Sequence, residues 1–410
     1  MNIGIVGYGK MGSAIFKLLS GGLDCVTVLD ISEEEAKKHE KIFFKRLERS
    51  FKRKTITKEA FLEKKGLIKF THRIEDLASA DFIIEAIFEN YEEKAAIFRK
   101  LESVISPKAV IATNTSSISI EKLAKDLKHK DRFCGLHFFH PVLFIELVEI
   151  IRLADTPDEL IDFLKDFCLG IGRHAIVVLD APGSVINAIL AYYYVEALYI
   201  IEEGLALPSK VDELAKRFFY VGPCESMDVI GIDFFIGALE RAATPGSLSP
   251  VRWADSSSKE ISVEDTGGRE GFFVPDLFGR LIEEKRFGKK VSKGIYIYQK
   301  DKPVDDLPEF YINPDRYRLY DKKPYDKKID VEEFISMRLF YSVLNGSLYS
   351  LKKKMSSAEE INLGVKEILQ LKQGPFEMMR AVGRDKLKEN FDFLARSAGK
   401  RFMQSDFDFS

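Results

Sequence analysis

From Met1 to Asp180, short runs of β-branched and aliphatic residues alternate with longer stretches of helical periodicity. The apolar runs are Ile3-Gly-Ile-Val, Val26-Thr-Val-Leu, Phe82-Ile-Ile, Val110-Ile-Ala and Ile176-Val-Val-Leu. Between them the pattern predicts helices at Lys10 to Leu19, Glu33 to Arg53, Glu92 to Val104 and Asp158 to Phe167. Strand and helix in alternation call for parallel pairing through crossovers, so residues 1–180 are expected to form an α/β unit whose sheet is covered on both faces. After Asp180 the strand signals stop. A helical segment opens at Pro182-Gly183 and runs through Asn187 to about Gly204, and the remainder reads as helical. Residues 244–271, rich in Pro, Gly and Ser, read as an irregular excursion. Residues 302–327, with Pro303, Pro308, Pro314 and Pro324 among charges, read as a linker. The expected division is therefore 1–180, 181–301 and 328–410.

One internal repeat supports the last boundary. Gly222-Pro-Cys-Glu-Ser-Met-Asp-Val-Ile-Gly231 recurs as Gly374-Pro-Phe-Glu-Met-Met-Arg-Ala-Val-Gly383, 374 − 222 = 152 residues later, with Gly, Pro, Glu, Met and the final Gly in common. Each copy follows a long helical segment, Asn187 to Gly204 and Arg338 to Lys354, so duplication of a helical unit is preferred to coincidence.

Composition narrows the class. At 410 residues the chain exceeds one ordinary domain, and 46% hydrophobic with 31% charged residues excludes a disordered polymer. The net charge of −2 provides no global field for nucleic acid or an anionic membrane. The longest apolar stretch, Ile189 to Ile201, contains Glu196 and is too short to cross a bilayer, so no membrane helix is expected. Met1 to Tyr8 lacks the basic region and cleavage site of an export signal and reads as a first strand. Cys25, Cys134, Cys168 and Cys224 are scattered without metal-site spacing, which points to a reducing, cytoplasmic setting and to no metal.

The candidate chemistry clusters at strand ends. Gly7-Tyr8-Gly9-Lys10-Met11-Gly12 fits G-x-G-x-x-G between a strand and a helix. Gly7 allows the tight turn, Gly9 lets backbone amides approach a pyrophosphate, and Gly12 lets the helix close on the sheet, with Lys10 and Met11 completing the turn. Asp30, at the end of the second strand, suits a ribose hydroxyl and repels a phosphate in its place, so the expected cofactor is NAD rather than NADP. His137 ends another apolar run, at the side of a parallel sheet that faces the ligand crevice; imidazole suits acceptance of a hydroxyl proton, and a structural histidine is the alternative. Glu149, flanked by Val and Ile, needs a partner, and His137 would supply one; Glu146 competes, and spacing does not choose between them. Ser117 or Ser119 is expected to cap the next helix, which leaves Asn114 and Ser116 free for the crevice, Asn114 grouped with the cofactor and Ser116 with the substrate. The basic run from Lys41 to Lys54 is a solvated face, with phosphate binding as the alternative.

With these motifs in order, together with Asp81-Phe-Ile-Ile-Glu-Ala-Ile-Phe-Glu-Asn, Leu136-His-Phe-Phe-His-Pro-Val and Pro182-Gly-Ser-Val-Ile-Asn187, the sequence resembles the L-3-hydroxyacyl-CoA dehydrogenases over residues 1 to about 300. The resemblance implies a Rossmann-type dinucleotide-binding domain followed by helical domains, and NAD-dependent oxidation of a (3S)-3-hydroxyacyl-CoA to the 3-oxoacyl-CoA, a step of the fatty-acid β-oxidation type. It implies His137 as base, Glu149 as its partner, Ser116 and Asn187 at substrate oxygens, and Ala86, Glu89 and Lys94 lining the cofactor, Lys94 at its ribose or nicotinamide end. Residues 331–410 look like a second, eroded copy of the family's helical domain. Tandem copies are characteristic of the multifunctional fatty-acid oxidation proteins, whose dehydrogenase part this chain resembles without their hydratase domain. The full expectation is an α/β Rossmann domain and two tandem all-α domains, monomeric as an internal pseudo-dimer, with an acyl-CoA substrate and association with other β-oxidation enzymes as a further partner. The chain departs from the family pattern at His140, Ser184 and Ala188, where Asn, Phe and Arg are usual. The alternatives are a dehydrogenase of a free hydroxy acid on the same fold, or an NAD-binding assembly subunit without turnover.

Overall fold

A computed structural model describes residues 1–22, 24–180, 184–233, 235, 252–253, 273–306, 308–312 and 329–402. The chain divides into two compact units, Met1–Asp180 and Ala181–Ser410.

The first unit is built from β1 (Asn2–Val6), α1 (Lys10–Leu19), β2 (Cys25–Leu29), α2 (Glu33–Lys52), α3 (Lys58–Leu67), β3 (Ile68–Thr71), β4 (Phe82–Glu85), α4 (Tyr91–Val104), β5 (Val110–Thr113), α5 (Ile120–Ala124), β6 (Phe133–Phe138), β7 (Leu147–Arg152), α6 (Asp158–Gly170) and β8 (His174–Leu179). The central strands are buried on both faces, which is why they read as continuous apolar runs rather than alternating ones. The eight-stranded sheet has the order β3-β2-β1-β4-β5-β6-β7-β8. Six strands run parallel; β7 returns antiparallel to β6, and β8 runs parallel to β7. Strand order reverses on either side of β1, so the carboxyl end of β1 lies at the switch point where such sheets open a crevice.

Helix starts follow local chemistry. Ser32 accepts from Glu35 N at the head of α2, and Asn90 accepts from Glu93 N at the head of α4. Ser119 caps α5, whose first turn also donates to the Asp180 carboxylate through the Ile120 and Glu121 N–H groups. The alternation of strands and helices did not reveal α3 and β3. They lie in a Lys- and Glu-rich stretch where β3 exposes Lys69 between buried residues, the pattern of an edge strand rather than a central one.

The second unit is mainly helical: α7 (Val185–Glu202), α8 (Pro208–Ala215), α9 (Pro223–Ile230), α10 (Asp276–Glu283), α11 (Pro308–Tyr311), α12 (Val331–Lys352), α13 (Ala358–Leu369), α14 (Pro375–Val382) and α15 (Arg384–Ser397). Its expected all-α character needs correction, because β9 (Arg252–Trp253) pairs with β10 (Phe273–Val274), and β11 (Ile297–Gln299) with β12 (Lys302–Val304). The β11–β12 hairpin turns through Lys300 and Asp301, both at positive φ, a two-residue geometry usually signalled by Asn-Gly and therefore missed. The segment expected to be a linker thus begins with a strand and continues into α11; residues 313–328 lie outside the described residues, as does most of 244–271.

The length read for the most apolar segment also changes. α7 extends beyond the apolar run Ile189 to Ile201 and is long and apolar enough to cross a membrane by length and composition, yet most of it is buried inside this unit. Its apolarity has a packing cause, since α12 lies along it. At the crossing, Gly346 of α12 sits against the Ile189 backbone, where a Cβ would be only 3.0 Å from Ile189 Cα. Beside it, Arg338 Nε lies 2.5 Å from Glu196 Oε1, its Nη1 reaches Glu203, and Arg401 Nε lies 2.6 Å from Glu196 Oε2. The sequence repeat has a structural counterpart: Asp212 Oδ1 accepts from Cys224 N at 2.8 Å, and Asn362 Oδ1 accepts from Phe376 N at 2.9 Å. Both bonds fix a Gly-Pro helix start, and both helices end at a positive-φ glycine, Gly231 and Gly383.

Candidate active site

The glycine turn has the features that a pyrophosphate requires. Gly7 has φ +95° and a Cβ there would stand 2.9 Å from the Ala86 carbonyl oxygen, so only glycine fits. A Cβ at Gly12 would fall on the Gly7 carbonyl, which explains the closure of α1 on the turn. Among the described residues nothing lies within 4 Å of a Cβ placed on Gly9, and no side chain caps α1, so its leading N–H groups are open to an anion. Ala86 lies opposite, its N–H bonded to Val6 O at 2.8 Å, and Lys10 and Met11 occupy the first turn of α1. Asp30 follows β2 at the same end of the sheet; its Oδ1 accepts from Ile31 N at 2.8 Å.

His137 and Glu149 face each other across the antiparallel β6–β7 pair. Both are buried, and His137 Nδ1 lies 2.8 Å from Glu149 Oε2. A carboxylate only accepts, so Nδ1 is the donor in that contact and Nε2 takes no part in it. Glu146, the competing acid, is exposed, so the register chooses Glu149 as the residue opposite His137. Only a returning strand sets two residues of such separation side by side, and β7 is that strand. The His137 ring also packs against Phe139 at 4.6 Å between centroids. His140 follows at a cis peptide bond to Pro141; burial, reinforced by Lys10, pushes its imidazole below the ordinary value.

Asn114 is not left free for the crevice: its Oδ1 accepts from Phe138 N at 2.9 Å, tying the end of β5 to the residue after His137. Ser116 is half-buried in the same loop, and its side chain makes no hydrogen bond among the described residues. Its neighbours are engaged, since Thr115 Oγ1 and Ser117 Oγ donate to Glu89 Oε1 at 2.5 and 2.6 Å. Glu89 thereby joins the loop after β4 to the loop after β5.

Lys94, expected at the cofactor, is held by acids of the same unit. Its ammonium is buried, 2.6 Å from Glu85 Oε1, 3.3 Å from Ile87 O and 3.5 Å from Glu89 Oε2. Glu85 is fully buried and also accepts from Ile87 N at 2.7 Å and Thr113 Oγ1 at 2.5 Å. Burial pushes the Glu85 carboxyl up, and Lys94, Thr113 and the Ile87 N–H oppose that rise. The Lys94 ammonium thus joins Glu85 at the end of β4 to Glu89 in the following loop, contacts that its place in the helix pattern did not signal.

Asn187 belongs to the second unit, in the first turn of α7, where its N–H donates to Ser184 Oγ at 3.1 Å. Ser184, which departs from the family pattern, is therefore the helix cap. His39 is the site neighbour that sequence reasoning missed: it contacts Asp30, and one α2 polar residue among many carried no signal of that contact.

Residues 2–181 match the family model described as 3-hydroxyacyl-CoA dehydrogenase, NAD binding domain, and residues 183–298 match 3-hydroxyacyl-CoA dehydrogenase, C-terminal domain. The chain is 31% identical over 305 residues to a protein named 3-hydroxybutyryl-CoA dehydrogenase from Bradyrhizobium diazoefficiens, covering 74% of this chain and 97% of that one. It is 29% identical over 388 residues to the fatty acid oxidation complex subunit alpha of Idiomarina loihiensis, covering 93% of this chain and 51% of the relative. Among solved structures, 3-hydroxybutyryl-CoA dehydrogenase from Escherichia coli superposes with a TM-score of 0.78 at 21% identity, covering 98% of this chain and 96% of that one. That likeness extends the fold over the C-terminal helices, which the two family models do not reach.

Proposed function

Because the chain belongs to the 3-hydroxyacyl-CoA dehydrogenase family, with an NAD-binding domain followed by the family's helical domain, we propose that it oxidises a (3S)-3-hydroxyacyl-CoA to the 3-oxoacyl-CoA. The observation that carries this reading is the buried His137–Glu149 pair at the ligand end of the sheet. NAD, when bound, supplies the acceptor for the hydride that leaves C3 of the substrate. The residues of the chain manage the accompanying proton. His137 Nε2 takes it from the substrate hydroxyl as the C–O bond becomes a carbonyl, and Glu149 keeps Nδ1–H in place and offsets the positive charge that develops on the ring. Ser116 Oγ and Asn187 are assigned to the substrate oxygens, and Asn114, whose Oδ1 accepts from the Phe138 N–H at the end of β6, to the cofactor through its amide nitrogen.

The cofactor residues fit NAD on structural grounds. The turn of Gly7, Gly9 and Gly12 would hold the pyrophosphate, Asp30 the adenosine ribose, and Ala86 and Glu89 the opposite wall. NADH formation from 3-hydroxybutyryl-CoA, compared with free 3-hydroxybutyrate, tests the activity. Turnover of the thioester alone supports the reading; turnover of the free acid, or of neither, contradicts it.

We further propose that the helical unit is a duplicated domain that satisfies its own pairing face, making the chain a monomer. The loop closures Leu205 N to Ile200 O and Met355 N to Ser350 O repeat at 355 − 205 = 150 residues. At that offset Arg338 corresponds to Ala188, and Glu196 to Gly346. A two-fold pairing of like copies would present every contact twice. Here only one of the two equivalent places keeps its ion pair, Arg338 with Glu196, while the other has Ala188 and the close-packed Gly346. Two first copies facing each other would bury Glu196 without an arginine, which disfavours that pairing. Light scattering is expected to give the 46.7 kDa mass of one chain, and a stable dimer would contradict the proposal.

A further inference from the structure

Asp30 is held by more than its own loop. Its Oδ2 lies 2.7 Å from His39 Nδ1, reaching from α2, while its Oδ1 accepts from Ile31 N. The imidazole is fixed on two other sides. Its ring stands 4.7 Å from that of Tyr8, the residue between Gly7 and Gly9, and its Nε2 is 3.6 Å from Glu35 Oε2, one turn back on α2. Tyr8 is in turn packed edge-on against Phe16 and Phe70 of the core. The side chain of His39 therefore spans from the ribose acid to the pyrophosphate turn.

A carboxylate has about four lone-pair directions. Ile31 N and His39 use one on each oxygen, which stops rotation about the Cβ–Cγ bond and aims the remaining lone pairs in fixed directions. Two acceptor sites held in place are what a ribose diol requires. A freely rotating carboxylate would lose that order each time nucleotide binds.

We propose that His39 is a positioning residue for dinucleotide affinity: it orients Asp30, so that His39 sets how tightly NADH is held while the Asp30 charge sets the preference over NADPH. The proposal rests on the NAD reading of the first unit. The charged groups about the pair are Glu35 and Lys38 on α2, together with Arg46, which acts on Tyr8. With cations this close, the Asp30 charge is what opposes a 2′-phosphate.

The test is equilibrium titration of the full-length protein with NADH and NADPH, followed by nicotinamide fluorescence and without turnover. His39→Ala is expected to weaken NADH binding roughly tenfold, within the range of a hydrogen bond to a charged group, and to keep the preference for NADH. His39→Gln, which keeps a donor, is expected to recover most of the affinity. Asp30→Ala is expected to narrow the NADH-to-NADPH gap instead. Thermal melting of each variant provides the control. A His39→Ala protein that binds NADH as tightly as the wild type, whatever its melting temperature, overturns the proposal, as does equal loss in His39→Gln. Wild-type protein that binds neither nucleotide overturns the NAD reading itself.

Discussion

Replacing Lys94 by Met removes the cation from a buried pair while preserving the bulk of its stem. Glu85, with no exposure, is left with the Ile87 N–H and the Thr113 hydroxyl as partners. Breaking a buried pair from one side costs about 3–5 kcal/mol. The variant has an escape, because Glu85 can take a proton; from an ordinary carboxyl pKa near 4.3 that costs about 3.7 kcal/mol at pH 7. The smaller figure sets the ceiling, so the loss is expected at about 3–4 kcal/mol. For a unit of this size each kcal/mol moves the melting temperature by about 2–4 °C, which predicts a fall of roughly 6–16 °C. The pH dependence follows from the same proton. The folded variant binds a proton on Glu85 that the unfolded chain lacks above its ordinary pKa, so stability falls as pH rises, by about 1.4 kcal/mol per unit. At pH 5.5 the deficit should therefore shrink by about 2 kcal/mol. Adding Glu85→Gln should restore most of the loss at pH 7. Thermal and urea unfolding at the two pH values measure all of this. Unchanged melting in Lys94→Met, or a deficit that ignores pH, would refute the view that this ion pair is a buried brace of the crevice.

Three other outcomes follow from the geometry. Glu149→Gln keeps the shape but loses the charge that orients His137, and should lower kcat by roughly 10- to 1000-fold with NADH affinity unchanged, as measured by steady-state rates and nucleotide titration. Gly12→Val places a side chain where Gly7 O stands, and should abolish NADH binding while calorimetry shows an unchanged transition for the helical unit. Arg338→Met leaves Glu203 and Glu196 with Arg401 alone, and should cost the helical unit roughly 3–5 kcal/mol in denaturant unfolding.

Periodicity located the elements whose burial is simple. The run Ile3 to Val6 and the helix Lys10 to Leu19 were legible because a central parallel strand is apolar throughout and the helix after it has one buried face. β3 was not, because an edge strand with Lys69 outward lacks that signature. The β11–β12 hairpin escaped notice because Lys300 and Asp301 adopt left-handed conformations without glycine. The same distinction holds for the site. The glycine turn is a local motif and could be read directly, whereas the partnership of His137 with Glu149 rather than Glu146 depends on β7 running antiparallel to β6. Lys94 was named by the resemblance, but its pairing with Glu85, like that of His39 with Asp30, lay beyond sequence reasoning, since a lysine and a histidine in polar helices carry no mark of the buried or shielded acid each will meet.

The central claim is that His137 Nε2 accepts the substrate's hydroxyl proton while Glu149 holds the ring. The most direct measurement is the rate of NADH formation from 3-hydroxybutyryl-CoA by the wild type and by His137→Gln, with NADH affinity measured on both proteins. The account predicts turnover by the wild type, a fall in kcat of roughly 10²- to 10⁴-fold in His137→Gln, and equal NADH affinity in the two. A His137→Gln protein that turns over at a rate near that of the wild type would contradict it.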